Sequence, residues 1–252
     1  MIFEIYGNLL MENAIYIGLS RQTALRRELS LVANNIANVN TTSFKRELGI
    51  YSASPTITSY REKLDFVIDH GTSVSFERGS FGVTGNDFDV AVKGPGFFAI
   101  DDGNGTKYTR NGAFSLNADN QLITRDGDAV IGDAGGRIII PQDGRKVEIA
   151  IDGTVSLDNE IVAKLQLVEF DDVQLLKKKG SSKYETTQEA LPAENTTLHQ
   201  RTLETANVTA VKELVRMVDI QRSYEAIGKF LEREAERQQN VVRRLGRESQ
   251  NA

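Results

Sequence analysis

Near the start of the chain, from Glu12 to Val39, the apolar residues Leu25, Leu29, Val32, Ile36 and Val39 recur at spacings of 4, 3, 4 and 3. That period predicts a helix carrying a heptad seam. No proline interrupts it and Gly18 is its only glycine. At about 1.5 Å per residue it would be roughly 40 Å long, and exposing such a seam alone would leave it marginal in water. It should end in the tract Ala33-Asn34-Asn35-Ile36-Ala37-Asn38-Val39-Asn40-Thr41-Thr42-Ser43-Phe44, where Asn, Thr and Ser side chains compete for backbone hydrogen bonds. Taken by chemistry alone, Asn34 and Asn38 form a solvated polar face opposite the seam.

The period returns at the other end. Met217, Ile220, Tyr224, Ile227 and Leu231 follow spacings of 3, 4, 3 and 4, and the stripe continues with more polar insertions through Ala235, Gln238, Val242 and Leu245. Asn207 or Thr209 is placed to cap the start and Gly246 to cap the end. Between the two helices the period falls to two. Phe88, Val90 and Val92 alternate with Asp87, Asp89 and Ala91, and turn signals recur at Gly94-Pro95-Gly96, Gly103-Asn104-Gly105, Asn111-Gly112, Asp126-Gly127, Gly135-Gly136, Asp143-Gly144 and Asp152-Gly153. Asn111-Gly112 reads as a two-residue hairpin. These intervals leave no room for crossover helices and predict an all-β sandwich or barrel-like domain.

The expected layout is therefore α+β. Residues 1–11 form a flexible N-terminus, with Met11 as an alternative start, and 12–45 the first helix and its Asn/Thr tract. An extended connector with some β pairing (46–78) leads to the β domain (79–195). A second connector (196–206), the back helix (207–246) and a flexible tail (247–252) complete the chain. Each helix needs a partner for its seam, and the simplest is the other, as a coiled coil. Positions beyond that mutual contact are then free for neighbouring copies. The candidate polymer interface is Leu25, Leu29, Val32, Asn34, Asn35, Ile36, Asn38, Val39, Met217, Ile220, Tyr224, Ile227 and Leu231.

Composition narrows the chemistry. The chain has 252 residues, 26% charged and 40% hydrophobic, with a net charge of −5, which speaks against a nucleic-acid binder. It has no cysteine and two histidines, His70 and His199, so thiolate chemistry and a histidine metal cluster are not expected. No apolar run approaches the roughly 20 residues of a membrane span, and the first ten residues make a poor signal peptide. Gly94-Pro95-Gly96 and Gly103-Asn104-Gly105 lie between β-type runs, so they are not phosphate loops. Asp87 with Asp89, Asp101 with Asp102, and Asp171 with Asp172 could supply carboxylate pairs, and Asp126-Gly127-Asp128 a calcium ligand; ordinary turn chemistry explains them better. No catalytic residue, cofactor or metal is expected.

Three stretches carry a resemblance. The tract Ala33–Arg46 resembles the N-terminal signature of bacterial flagellar rod and hook proteins. Phe88-Asp89-Val90-Ala91-Val92-Lys93-Gly94-Pro95-Gly96-Phe97-Phe98-Ala99-Ile100, continued by Tyr108–Leu116 and Leu122–Gly127, is similar to the β-domain signature of that family. Asn207–Val215 with Arg222-Ser223-Tyr224-Glu225-Ala226 resembles its C-terminal signature. Within the family, Met11–Gln22 and the short middle look like the proximal-rod type, with a distal-rod or hook-type subunit as the alternative and a stalk-borne adhesin as the reading from another class. The resemblance implies a structural subunit of the basal-body rod that crosses the periplasm. It implies export by the flagellar type III apparatus without signal cleavage, and polymerisation with itself and other rod subunits. It also implies terminal helices that pair around a channel and order only on incorporation. On that basis Asn34, Asn35 and Asn38 move from a solvated terminus to contacts within the polymer.

Overall fold

A computed structural model describes the backbone of residues 2–57, 63–180 and 182–248, with side chains placed for 14–55, 65–180 and 182–243. The protein is α+β, with a long helix at each end and a β-rich middle. It divides into two compact units. One comprises Met1–Ala37, Glu47–Ser73 and Thr209–Ala252; the other Asn38–Arg46 and Val74–Val208.

The helical unit holds α1, Ile2–Ala37, and α2, Ala210–Glu248. Helix α1 thus starts ten residues ahead of the expected Glu12. Its seam is filled from within the chain: Leu25, Val32 and Ile220 are buried together, and Leu29, Ile36, Met217, Tyr224 and Ile227 pack against them. The helices run antiparallel. Arg216 Nη2 lies 2.8 Å from Glu28 Oε1, while Gly18 faces Leu231, whose Cδ2 would stand 2.7 Å from a Cβ at that glycine. Gly246 lies inside α2 rather than capping it. An interior glycine costs a helix only about 1 kcal/mol, which its helix-forming neighbours Arg243, Arg244, Arg247 and Glu248 offset.

The stretch expected as an extended connector with some β pairing supplies β1, Glu47–Ile57, and β2, Lys63–Val74, paired as a two-stranded sheet. Two strands alone are marginal in water. Here α1 supports them through the Tyr51 hydroxyl, which donates to Ala24 O at 3.4 Å, and through Arg27, 3.0 Å from Asp69. Burial and the nearby Glu28 and Asp69 carboxylates push the Tyr51 phenol upward.

The β unit is built on a sheet in the order Lys177–Lys178, Lys183–Glu185, Thr106–Thr109, Phe97–Asp101, Ala129–Val130, Leu122–Thr124 and Phe114–Leu116, with Leu167–Glu169 also pairing Phe97–Asp101. A three-stranded sheet joins Val147–Ile149, Thr154–Leu157 and Glu160–Lys164, while Thr197–Gln200 pairs Val90–Lys93 and Thr202–Glu204 pairs Phe81–Val83. The central strand Phe97–Asp101 is covered on both faces. Phe98 points into a core with Val90, Val92, Phe114, Leu122 and Val155. Its neighbour Phe97 points into a second core with Phe170, Leu176 and Tyr184, because successive strand residues face opposite sides. Ala91 is buried like Val90 and Val92, so the alternation expected there does not mark a solvated face.

Asn111-Gly112 does not make a hairpin. Thr106–Thr109 and Phe114–Leu116 pair with other strands, and neither Asn111 nor Gly112 has the positive φ that a two-residue hairpin needs. Close approach explains this glycine: a Cβ on Gly112 would stand 1.8 Å from Val90 O.

Candidate assembly surface

Of the residues expected at contacts between subunits, Leu25, Leu29, Val32, Ile36, Met217, Ile220, Tyr224 and Ile227 meet each other across the α1–α2 seam. Asn34, Asn38, Val39 and Leu231 are half-buried. Asn35 is wholly buried. Its Nδ2 donates to Glu47 O and its Oδ1 accepts from Glu47 N, both at 2.9 Å. This two-pronged bond imitates a strand ladder and fixes where β1 begins after α1 ends.

The rest of the tract belongs to the β unit. Thr41 donates its hydroxyl to Asn38 Oδ1 at 3.1 Å, and Thr41 N donates to Asn38 O. Asn40, Thr41 and Thr42 line a polar recess of about 220 Å³ with Thr109, Asn111, Thr124, Arg125, Asp126 and Lys183. Residues of the Asn/Thr tract and of both later β stretches thus converge on one spot. Asn207 does not cap α2. Its side chain bonds to Ser75 O, Glu77 O and Arg46 N within the β unit, which leaves Thr209 next to the first helical residue.

The acidic residues serve turns and ion pairs. Asp101 accepts from Gly103 N and Asp102 from Asn104 N; Asp87 pairs with Arg201. Asp126 and Asp128 meet Lys183, the latter at 2.5 Å. Those bonds raise Lys183 against the opposing effect of its own burial, which is the largest single influence. The His199 ring lies tilted beside Phe81, with centroids 6.3 Å apart, and His70 Nε2 lies 2.6 Å from Ser52 Oγ.

What the helical unit leaves open is a second apolar stripe. Val211, Leu214, Val215 and Val218 are exposed, at 70%, 50%, 58% and 46%. They follow i, i+3, i+4, i+7 spacing and form one face over the first turns of α2. Tyr16, Leu19 and Phe230 add exposed apolar area on the two helices. The spacing is readable in the sequence, and at about 100° per residue it lies on the side of α2 away from the Met217–Ile227 seam.

Comparison with known proteins shows the family. Residues 15–45 match the family described as Flagella basal body rod protein, 91–157 the Flagellar hook protein FlgE/F/G D1 domain, and 199–244 the Flagellar basal body rod FlgEFG protein C-terminal. The chain is 40% identical over 243 residues to the flagellar basal-body rod protein FlgF of Caulobacter vibrioides, covering 94% of this chain and 99% of that protein. The chain belongs to the flagellar basal-body rod protein family. FlgF of Mesorhizobium japonicum is 31% identical over 95% of the chain, and the rod protein FlgG of Bacillus subtilis 30% over 92%. This rod protein is a structural subunit of the basal-body rod and not an enzyme, and its place is the flagellar basal body. Membership implies assembly with other rod proteins. Among the described residues no helix of the rod protein is long and apolar enough to cross a membrane.

Proposed function

We propose that this chain is a proximal-rod subunit of the FlgF type, exported by the flagellar type III apparatus and polymerising with itself and with other rod subunits into the hollow axial structure. The observation that carries the proximal assignment is the 40% identity to a FlgF extending over nearly the whole of both chains. A distal-rod position is the second reading, because FlgG of Bacillus subtilis also aligns along 92% of the chain, at lower identity. The layout proposed is a pair of rod helices joined as a coiled coil, with the β unit as the body. The alternating 3–4 spacing and the seam packing of Leu25, Leu29, Val32 and Ile36 against Met217, Ile220, Tyr224 and Ile227 support that pairing.

Contacts between subunits are assigned to what this pairing leaves uncovered, the exposed Val211/Leu214/Val215/Val218 stripe of α2, and to the half-buried Asn34, Asn38, Val39 and Leu231. A stripe of this kind is disfavoured in water and suits a helix of a neighbouring subunit. The test is Val215→Asp in a strain lacking the natural gene. The residue is exposed, so the subunit should fold as before, while rod completion, hooks and swimming are lost. Normal swimming with Val215→Asp and with Leu214→Asp would remove the stripe from the interface. A deletion strain that still completes its rod would remove the proximal-rod assignment itself.

A further inference from the structure

We infer that the buried cluster of Lys45, Arg110 and Glu204 is a closing bolt, which makes folding of the β unit conditional on the arrival of the chain's residues 196–208. The side chains of Lys45 and Glu204 are fully buried and that of Arg110 nearly so. Lys45 Nζ lies 2.7 Å from Glu204 Oε1 and donates to Glu77 O at 2.8 Å. Glu204 Oε1 also accepts from Gly79 N at 2.9 Å, and Oε2 accepts from Arg110 Nε at 3.3 Å. The rest of the Arg110 guanidinium donates to the carbonyls of Val92, Gly94 and Gly96. One carboxylate therefore serves two buried cations. Burial drives Lys45 below its ordinary pKa even though Glu204 opposes that shift.

The partners come from opposite ends of the unit. Lys45 and Glu204 are 159 residues apart in sequence, and Ser43 ties both sides together, its N donating to Glu204 O and its Oγ to Arg110 O. The same late segment supplies the strand Thr197–Gln200, which pairs Val90–Lys93. It also brings Leu198 into the main core, and Thr196, whose Oγ1 accepts from Gly96 N. A chain that stops short of this segment would have to bury two cations with no anion and leave Val90–Lys93 without that ladder. Uncompensated buried charge is among the most costly defects a fold can carry, large enough to cancel the whole margin of a domain. The unit is thus open until Glu204 is in place and closed afterwards, with no stable half-built form. For a chain threaded from its N-terminus, which rests on the export reading above, the β unit stays unfolded until about residue 208 has cleared the channel.

The experiment is amide hydrogen exchange on the full chain, wild type against Glu204→Gln and the double variant Lys45→Met with Glu204→Gln. In Glu204→Gln, exchange should accelerate about a hundred-fold or more across the whole β unit, in step at 43–46, 77–79 and in distant strands such as Leu122–Thr124 and Thr154–Leu157. Removing one cation in the double variant should recover at least ten-fold of that loss. Acceleration confined to 43–46, 77–79 and 202–208 would mean local fraying and overturn the bolt. A double variant no better than Glu204→Gln would overturn its electrostatic basis. If Glu204→Gln fails to fold at all, a folded double variant supports the inference and an unfolded one refutes it. Secretion of the wild-type chain is measured separately: its absence would end the export reading and leave the folding dependence standing.

Discussion

At the scale of single residues, the glycines of the β unit separate into two physical kinds. Gly103 has φ +83 with open space where a side chain would go, so its need is conformational. Gly112 has ordinary φ, and its need is steric, with the Val90 carbonyl oxygen 1.8 Å from the missing Cβ. Val90 N also donates to Gly112 O at 3.0 Å, so the two backbones cannot separate without breaking a bond. Gly103→Ala should therefore cost about 1–2 kcal/mol, the penalty of a left-handed alanine. Gly112→Ala should cost about 3 kcal/mol, at the upper end for overpacking. Urea unfolding followed by circular dichroism measures both, and equal losses would refute the distinction.

At the scale of elements, the joint between α1 and β1 hangs on Asn35. An alanine there removes both bonds to Glu47, at about 1–3 kcal/mol. An aspartate does more harm at neutral pH, because a buried carboxylate can accept from Glu47 N but turns a negative charge on Glu47 O. Protonation restores the donor. The deficit of Asn35→Asp relative to Asn35→Ala should shrink as pH falls through the carboxyl range of that residue, visible in paired urea midpoints at pH 7 and pH 4. A pH-independent gap would mean that Asn35 acts by packing alone. The helices themselves were legible in the sequence, since heptad spacing marks Leu25–Ile36 and Met217–Ile227 wherever their partner lies. The β character of the middle was legible for the same reason of period. What periodicity could not reveal is which strand lies beside which. Asn111-Gly112 looks the same in sequence whether it turns a hairpin or lets one backbone touch another. Residues 46–78 lacked period, yet their strands β1 and β2 pair with each other beside α1. Asn35 reads as one more polar residue of a terminus until Glu47 is set beside it in space. Lys45, Arg110 and Glu204 gave no local signal, because their meaning is a contact 159 residues long.

At the scale of the whole molecule, the charges that respond to acid are concentrated in the β unit. Hydrogen bonds or cations hold five of its carboxylates below their usual values of 3.8 for Asp and 4.5 for Glu. These are Asp101 by Gly103 N and Arg137, Asp143 by Arg145, Glu148 by Lys146, Asp152 by the Thr154 amide and hydroxyl, and Glu185 by Lys107 and Lys179. In each, the folded chain holds the proton more weakly than the unfolded chain does. The stability they contribute is fully present above the unfolded values and is lost as pH falls through the lowered ones. The urea midpoint of the β unit should therefore be level from pH 7 to about 5 and decline below about 4.5. Asp143, Glu148 and Asp152 are exposed and Asp101 and Glu185 half-buried, so salt reaches all five and the two mechanisms can be separated by it. Ion pairing of Asp143, Glu148 and Glu185 is screened at about 0.5 M sodium chloride, whereas backbone bonds to Asp101 and Asp152 persist. Added salt should shrink the acid-induced decline without abolishing it, and substituting Asp101→Asn with Asp152→Asn should remove most of what salt leaves. A midpoint that rises on acidification, or a decline that salt erases entirely, would show that backbone-held turn carboxylates do not govern the acid limit of this rod subunit.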